Sequence, residues 1–104
     1  MDESLKVAYR ALRALRSQMG NEECDPDALS PESLETSRAM RDNVLLMLAE
    51  DGYVRGVSAI SCDAQREIAL SNSRITMRGL EFLESDSTMR RAADAARGIR
   101  EMLP

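Results

Sequence analysis

Between Met40 and Val57 the chain changes its periodicity. Val44, Leu45, Met47 and Leu48 recur at helical spacing, and Gly52 then stops the helix. Tyr53, Val54 and Val57 come next, an aromatic and β-branched segment that suits a strand. A helix that ends in glycine and feeds directly into a strand has crossed from one packing layer to another. The chain before this junction reads as helix, and the chain after it reads as a small ribbon and then helix again.

The first helix is predicted from about Glu3 to Met19. Leu5, Ala8, Leu12, Leu15 and Met19 form its apolar stripe, and Lys6, Arg10, Arg13 and Arg16 line other faces. Gly20-Asn21 closes it. Asp25-Pro26 and Ser30-Pro31 each pair an N-capping residue with a proline suited to the first helical position. Two such start signals in succession predict a one-turn second helix, a tight turn and a long third helix from Pro31 to about Asp51. That is helix-turn-helix spacing.

Tyr53 to Ile60 reads as a strand, with a bulge near Gly56, and Arg66 to about Ser71 as its antiparallel partner. Asn72-Ser73 allows a kink before Ile75 re-enters the core. Thr76 reads as the N-cap of a fourth helix, Met77 to Glu84, in which Gly79 permits close approach to a neighbour. A fifth helix is predicted from about Ser87 to Met102, with Met89, Ala92, Ala93, Ala96, Ile99 and Leu103 along one stripe. The expected fold is therefore α+β, mostly α. It is a single winged helix-turn-helix domain over residues 1–104, of order ααα-ββ-αα, with a small antiparallel ribbon as the wing. Its predicted core is Leu5, Leu12, Leu34, Val44, Leu48, Val54, Ile68, Ile75, Leu80, Leu83 and Ile99.

Several segments in the second half resemble the YjcQ-like family of small bacterial and phage proteins. They are Gly52-Tyr53-Val54-Arg55-Gly56-Val57, then Ile75-Thr76 with Gly79-Leu80-Glu81-Phe82-Leu83-Glu84, then Ser85-Asp86-Ser87 before Met89. The closing Gly98-Ile99-Arg100 and Met102-Leu103-Pro104 are similar as well. Phe82 stands where the family suggests tyrosine, and Asp86 where it suggests asparagine. The resemblance implies a winged-helix fold and brings no assigned activity or functional residues.

Composition narrows the chemistry. The chain has 104 residues and no histidine, so it lacks the commonest metal ligand and the side chain best matched to acid–base work near neutral pH. Cys24 and Cys62 form no CxxC pair and read as reduced thiols of a cytoplasmic protein. No apolar run approaches the length of a membrane span, and no signal peptide is recognisable. The acidic turn Glu22-Glu23-Cys24-Asp25-Pro26-Asp27 lacks the glycine and terminal glutamate of a calcium loop and reads as solvated surface. Ser61-Cys62-Asp63 has no base partner. P-loop, dinucleotide and zinc motifs are absent, so no catalytic residue, metal or cofactor is expected, and the chain does not read as an enzyme.

Two functions remain. The first is binding of double-stranded DNA by a small bacterial or phage-derived transcriptional regulator. Its candidate contacts are Arg38 and Arg41 on the third helix and Arg55, Arg66 and Arg74 on the ribbon, with Arg78 beside them. The ordinary alternative for each arginine is solvated surface charge. The second is a protein-interaction module that keeps the scaffold without binding DNA. It is favoured by the net charge of −4 and by nine acids against two arginines in residues 21–51. On the third helix Glu32, Glu35 and Asp42 would face a groove and repel phosphate, and Leu46 would stand exposed. A homodimer is also expected. Val7, Ala11 and Ala14 lie off the main stripe of the first helix, and Ala92 and Ala96 permit close approach on the fifth.

Overall fold

The computed structural model describes residues 2–62 and 65–85, the side chains of 61, 62, 65 and 66 excepted. The predicted fifth helix, with Ala92, Ala96 and Ile99, lies outside the described residues. So do the family-like segments beyond Ser85.

Helix α1 runs Glu3–Ser17. Asp2 caps it, its carboxylate accepting the Ser4 N–H at 2.7 Å. The Ser4 hydroxyl also donates to this carboxylate, and those bonds hold the Asp2 carboxyl below its ordinary range. Val7, Ala8, Tyr9, Ala11, Leu12 and Leu15 are all buried, an arc wider than one stripe. The arc is wide because α1 is central: it packs against a short 3₁₀ turn at Pro26–Leu29, helix α2 at Arg38–Glu50, helix α3 at Met77–Ser85 and the strand Arg74–Ile75 at the ribbon's base. Leu5, expected in the core, lies at the edge of this arc and is 47% exposed.

The second predicted helix is the 3₁₀ turn, capped by Asp25, whose side chain accepts the Asp27 N–H at 3.0 Å. The third starts later than expected. Residues 31–36 form turns, Glu35 takes a left-handed φ of 56°, and Ser37 caps α2 by accepting the Met40 N–H at 3.2 Å. The break lets Leu29 and Leu34 both reach the core, at 0% and 1% exposure. Two bonds across the break hold it: Arg41 donates to the Leu29 carbonyl at 3.1 Å, and Arg10 to the Leu34 carbonyl at 3.2 Å.

Helix α2 ends as its glycine predicts. Gly52 has φ 85°, and the Tyr53 N–H closes on the Leu48 carbonyl at 2.9 Å. The extended segment beyond it is split. Strands β1 (Val54–Arg55) and β4 (Arg74–Ile75) pair antiparallel at the ribbon's base, and β2 (Ser58–Cys62) and β3 (Gln65–Ala69) pair beyond them as a separate antiparallel hairpin. The backbone turns between the two pairs at Gly56, φ 82°, where a bulge was expected. Thr76 then leads into α3 as predicted. Its hydroxyl accepts the Gly79 N–H at 3.1 Å and donates to the Gly52 carbonyl at 2.6 Å, tying α3 to the end of α2.

The described chain is thus a small, mostly helical α+β fold. Leu12, Leu34, Val44, Leu48, Val54, Ile75 and Leu83 are buried, and Ile68 and Leu80 pack partly buried against them.

Candidate nucleic-acid interface

Strand pairing brings together two of the arginines singled out in the sequence. Arg55 and Arg74 are directly opposed across the β1–β4 pair, with Val54 opposite Ile75 in the core beside them. Alternation along a strand sends the arginines to the face opposite the core. Like charges set directly opposite each other repel, so this face gains from an anion. Arg55 is exposed. Arg74 is partly committed: its guanidinium donates to the Glu22 carbonyl and, at 3.4 Å, to the Ser73 carbonyl. Arg78 extends the positive surface toward α3, its guanidinium 4.8 Å from the centroid of the Tyr53 ring. Tyr53 in turn packs on Phe82 with ring centroids 5.3 Å apart. Arg66 lies on β3, and its side chain is outside the described residues.

The arginines of α2 divide. The Arg38 side chain is 61% exposed at the helix start, 4.0 Å from Asp42. That of Arg41 is only 12% exposed, and it donates to Asp42 at 2.7 Å and to the Leu29 carbonyl. Arg41 is therefore a structural clamp and not a group free to meet a phosphate. Two of the arginines on α1 are similarly engaged: Arg10 donates to the Leu34 carbonyl and lies 3.7 Å from Glu35, and Arg13 lies 5.8 Å from the Tyr9 ring centroid.

The acids expected to oppose DNA are placed differently. Glu32 and Glu35 precede α2 and do not lie on it. Asp42 is held between Arg38 and Arg41. The exposed line of α2 is Ala39, Asn43, Met47 and Glu50, which carries no carboxylate before its last residue. Sequence reading misses this line because a helix begun at Pro31 turns Glu32, Glu35 and Asp42 outward. Ser37, followed by Met40 and the regular 3- and 4-residue steps to Leu48, was the available signal. Leu46 is half-buried, and Met47 takes the exposed place at 56%.

A second missed feature is an apolar groove of about 240 Å³ between α1, α2 and α3, where Leu5, Val44, Met47 and Phe82 face one another.

The expected dimer surface on α1 is spent. Val7 and Ala11 are fully buried in the protomer, and Ala14 is partly buried against the same core. The extra apolar face of α1 does have a second neighbour, as its breadth implied, but those neighbours belong to its own chain. Cys24 carries a free thiol and is 4% exposed. Burial pushes this thiol above its ordinary range. Among the described residues no group of three histidine, cysteine or carboxylate side chains is placed to hold a metal, and no helix is long and apolar enough to cross a membrane.

No curated protein and no solved structure matches the chain. Residues 9–102 match the family model described as YjcQ protein, which covers nearly all of the sequence, both the helical first half and the ribbon with α3. The chain belongs to the YjcQ family.

Proposed function

We propose that this protein is a winged-helix DNA-binding module, a small transcriptional regulator of bacterial or phage type that acts as a homodimer. In this reading the 3₁₀ turn and α2 form the helix-turn-helix, α2 lies in the major groove, and the β2–β3 hairpin is the wing. The observation that carries the reading is the opposed pair Arg55 and Arg74 at the wing's base, a surface suited to a phosphate. The α2 face supports it. Arg38 stands at the helix start, and Ala39 and Asn43 continue the exposed line, the latter a side chain able to pair with an adenine edge. A gel-shift assay with random duplex DNA at two salt concentrations tests the reading. Binding at low salt that weakens steeply as salt rises is expected, because neutralised phosphates release counterions. Absence of binding at low salt would refute it.

A second reading, a protein-interaction module, is favoured by one observation. Leu5 and Met47 stand about half exposed, at 47% and 56%, on a mostly apolar groove that Ala8, Val44, Leu48 and Phe82 also line, with Asp51 at its edge. The same assay separates the two readings.

A further inference from the structure

Among the described residues, the β2–β3 hairpin packs mainly on itself. Among the described residues β3 is the only strand paired with β2, which leaves the other edge of β2 with unpaired backbone groups. Proteins ordinarily defend such an edge with charge, proline or a bulge. Strand β2 has none of these. Its sequence is Ser58-Ala59-Ile60-Ser61-Cys62, without charge, proline or glycine, and its five residues pair with β3 in unbroken register. Strand β3, by contrast, carries Arg66 and Glu67. The middle residue of β2 is Ile60, an isoleucine left 48% exposed. Two strands alone are marginal in water, and further strands are the usual remedy.

We propose that the free edge of β2 docks on β2 of a second copy of this chain. The two strands run antiparallel about a two-fold axis at Ile60 and join two hairpins into one four-stranded sheet. The strand suits this partner in three ways. A strand paired antiparallel with its own copy obeys the two-fold symmetry that most homodimers use. Its middle residue then faces itself, so the exposed Ile60 side chains meet across the axis at roughly 5 Å between Cβ atoms. The chain as a whole carries −4, yet β2 is uncharged, so this edge can meet its copy without opposing like charges. The inference rests on the dimer reading above and places the interface on the hairpin, since Val7 and Ala11 of α1 are buried. Five residues from each copy make a small interface, so the dimer is weak and concentration-dependent.

Sedimentation equilibrium on the full chain, from low to high micromolar concentration, tests it with two variants. The wild type should associate reversibly. Ile60→Lys, which sets two ammonium groups on the axis, should weaken association at least about tenfold, and Ile60→Thr, a neutral strand former, should preserve it. Circular dichroism checks that each variant is folded, as expected for an exposed position. Disulfide trapping gives an independent readout. Ile60→Cys in a Cys62→Ser background should cross-link two copies under mild oxidation, and Cys62→Ser alone should not. A wild type that stays monomeric would overturn this inference and the dimer reading together. A dimer insensitive to Ile60→Lys, with no cross-link through position 60, would overturn the β2 interface alone and leave the dimer standing.

Discussion

A methyl group added at Gly79 would stand 2.4 Å from the Tyr53 carbonyl oxygen and 2.7 Å from Ile75 Cγ1. Neither atom can move freely: the carbonyl accepts the Thr76 N–H at 3.1 Å, and Ile75 is 9% exposed in the core. In an unconstrained helix Gly→Ala gains about 1 kcal/mol. Here backbone contact reverses the sign, and Gly79→Ala should lose about 1–3 kcal/mol, the usual range for overpacking. At Gly20 an added Cβ meets nothing within 4 Å, so Gly20→Ala should stay within about 0.5 kcal/mol of the parent. Urea denaturation of both variants measures the difference. A stabilised Gly79→Ala would mean that α3 is not seated against the Tyr53 carbonyl and Ile75.

The elements differ from sequence expectation mainly at the start of α2, and one substitution tests that difference by its sign. A helix running from Pro31 would hold Ser37 in its interior, where Ser→Ala gains up to about 0.5 kcal/mol by propensity. With α2 beginning at Arg38, Ser37 is the N-cap and accepts the Met40 N–H. Ser37→Ala should then cost about 1 kcal/mol, read as a lower denaturation midpoint at unchanged slope. Why the sequence misled at this point is physical. Ser30-Pro31 is a strong local start signal, and it does begin a turn, with Leu34 N–H closing on the Ser30 carbonyl at 3.0 Å. What ends that turn is long-range: the burial of Leu29 and Leu34, and the Arg10 and Arg41 bonds to their carbonyls. Periodicity carries no record of such bonds. Where the signal was local it could be read directly, as with the Gly52 stop and the Asp25 and Thr76 caps. The candidate site shows the same division. Arginine positions were visible, but whether each is free depends on partners distant in the chain, such as the Glu22 carbonyl that holds Arg74.

At the scale of the whole molecule, the question is how a chain of net charge −4 could meet a polyanion. The proposed reading answers it through the distribution of charge. Several acids of the central third are engaged internally: Asp25 caps the 3₁₀ turn, Asp42 pairs with Arg41, and Glu35 lies 3.7 Å from Arg10. Arg38 and Arg55 remain exposed. The arginines therefore sort into classes that one experiment can distinguish. Arg55→Ala and Arg38→Ala should leave the unfolding midpoint near that of the parent, because neither side chain is buried. Each should also lower the slope of log affinity for DNA against log salt by about one, the loss of one phosphate contact. Arg41→Ala should do the reverse. It removes the bonds to Asp42 and the Leu29 carbonyl from a side chain only 12% exposed, so stability should fall by about 1–3 kcal/mol while the salt slope of the folded protein is unchanged. Arg74→Ala should show both effects in part, since its guanidinium donates to the Glu22 carbonyl while its β4 position lies opposite Arg55, on the face proposed to meet phosphate. Fluorescence anisotropy with a labelled duplex gives the slopes, and thermal denaturation gives the midpoints. An equal change of slope at Arg38, Arg41 and Arg55 would show that contact is diffuse, and the wing-centred mode would fall.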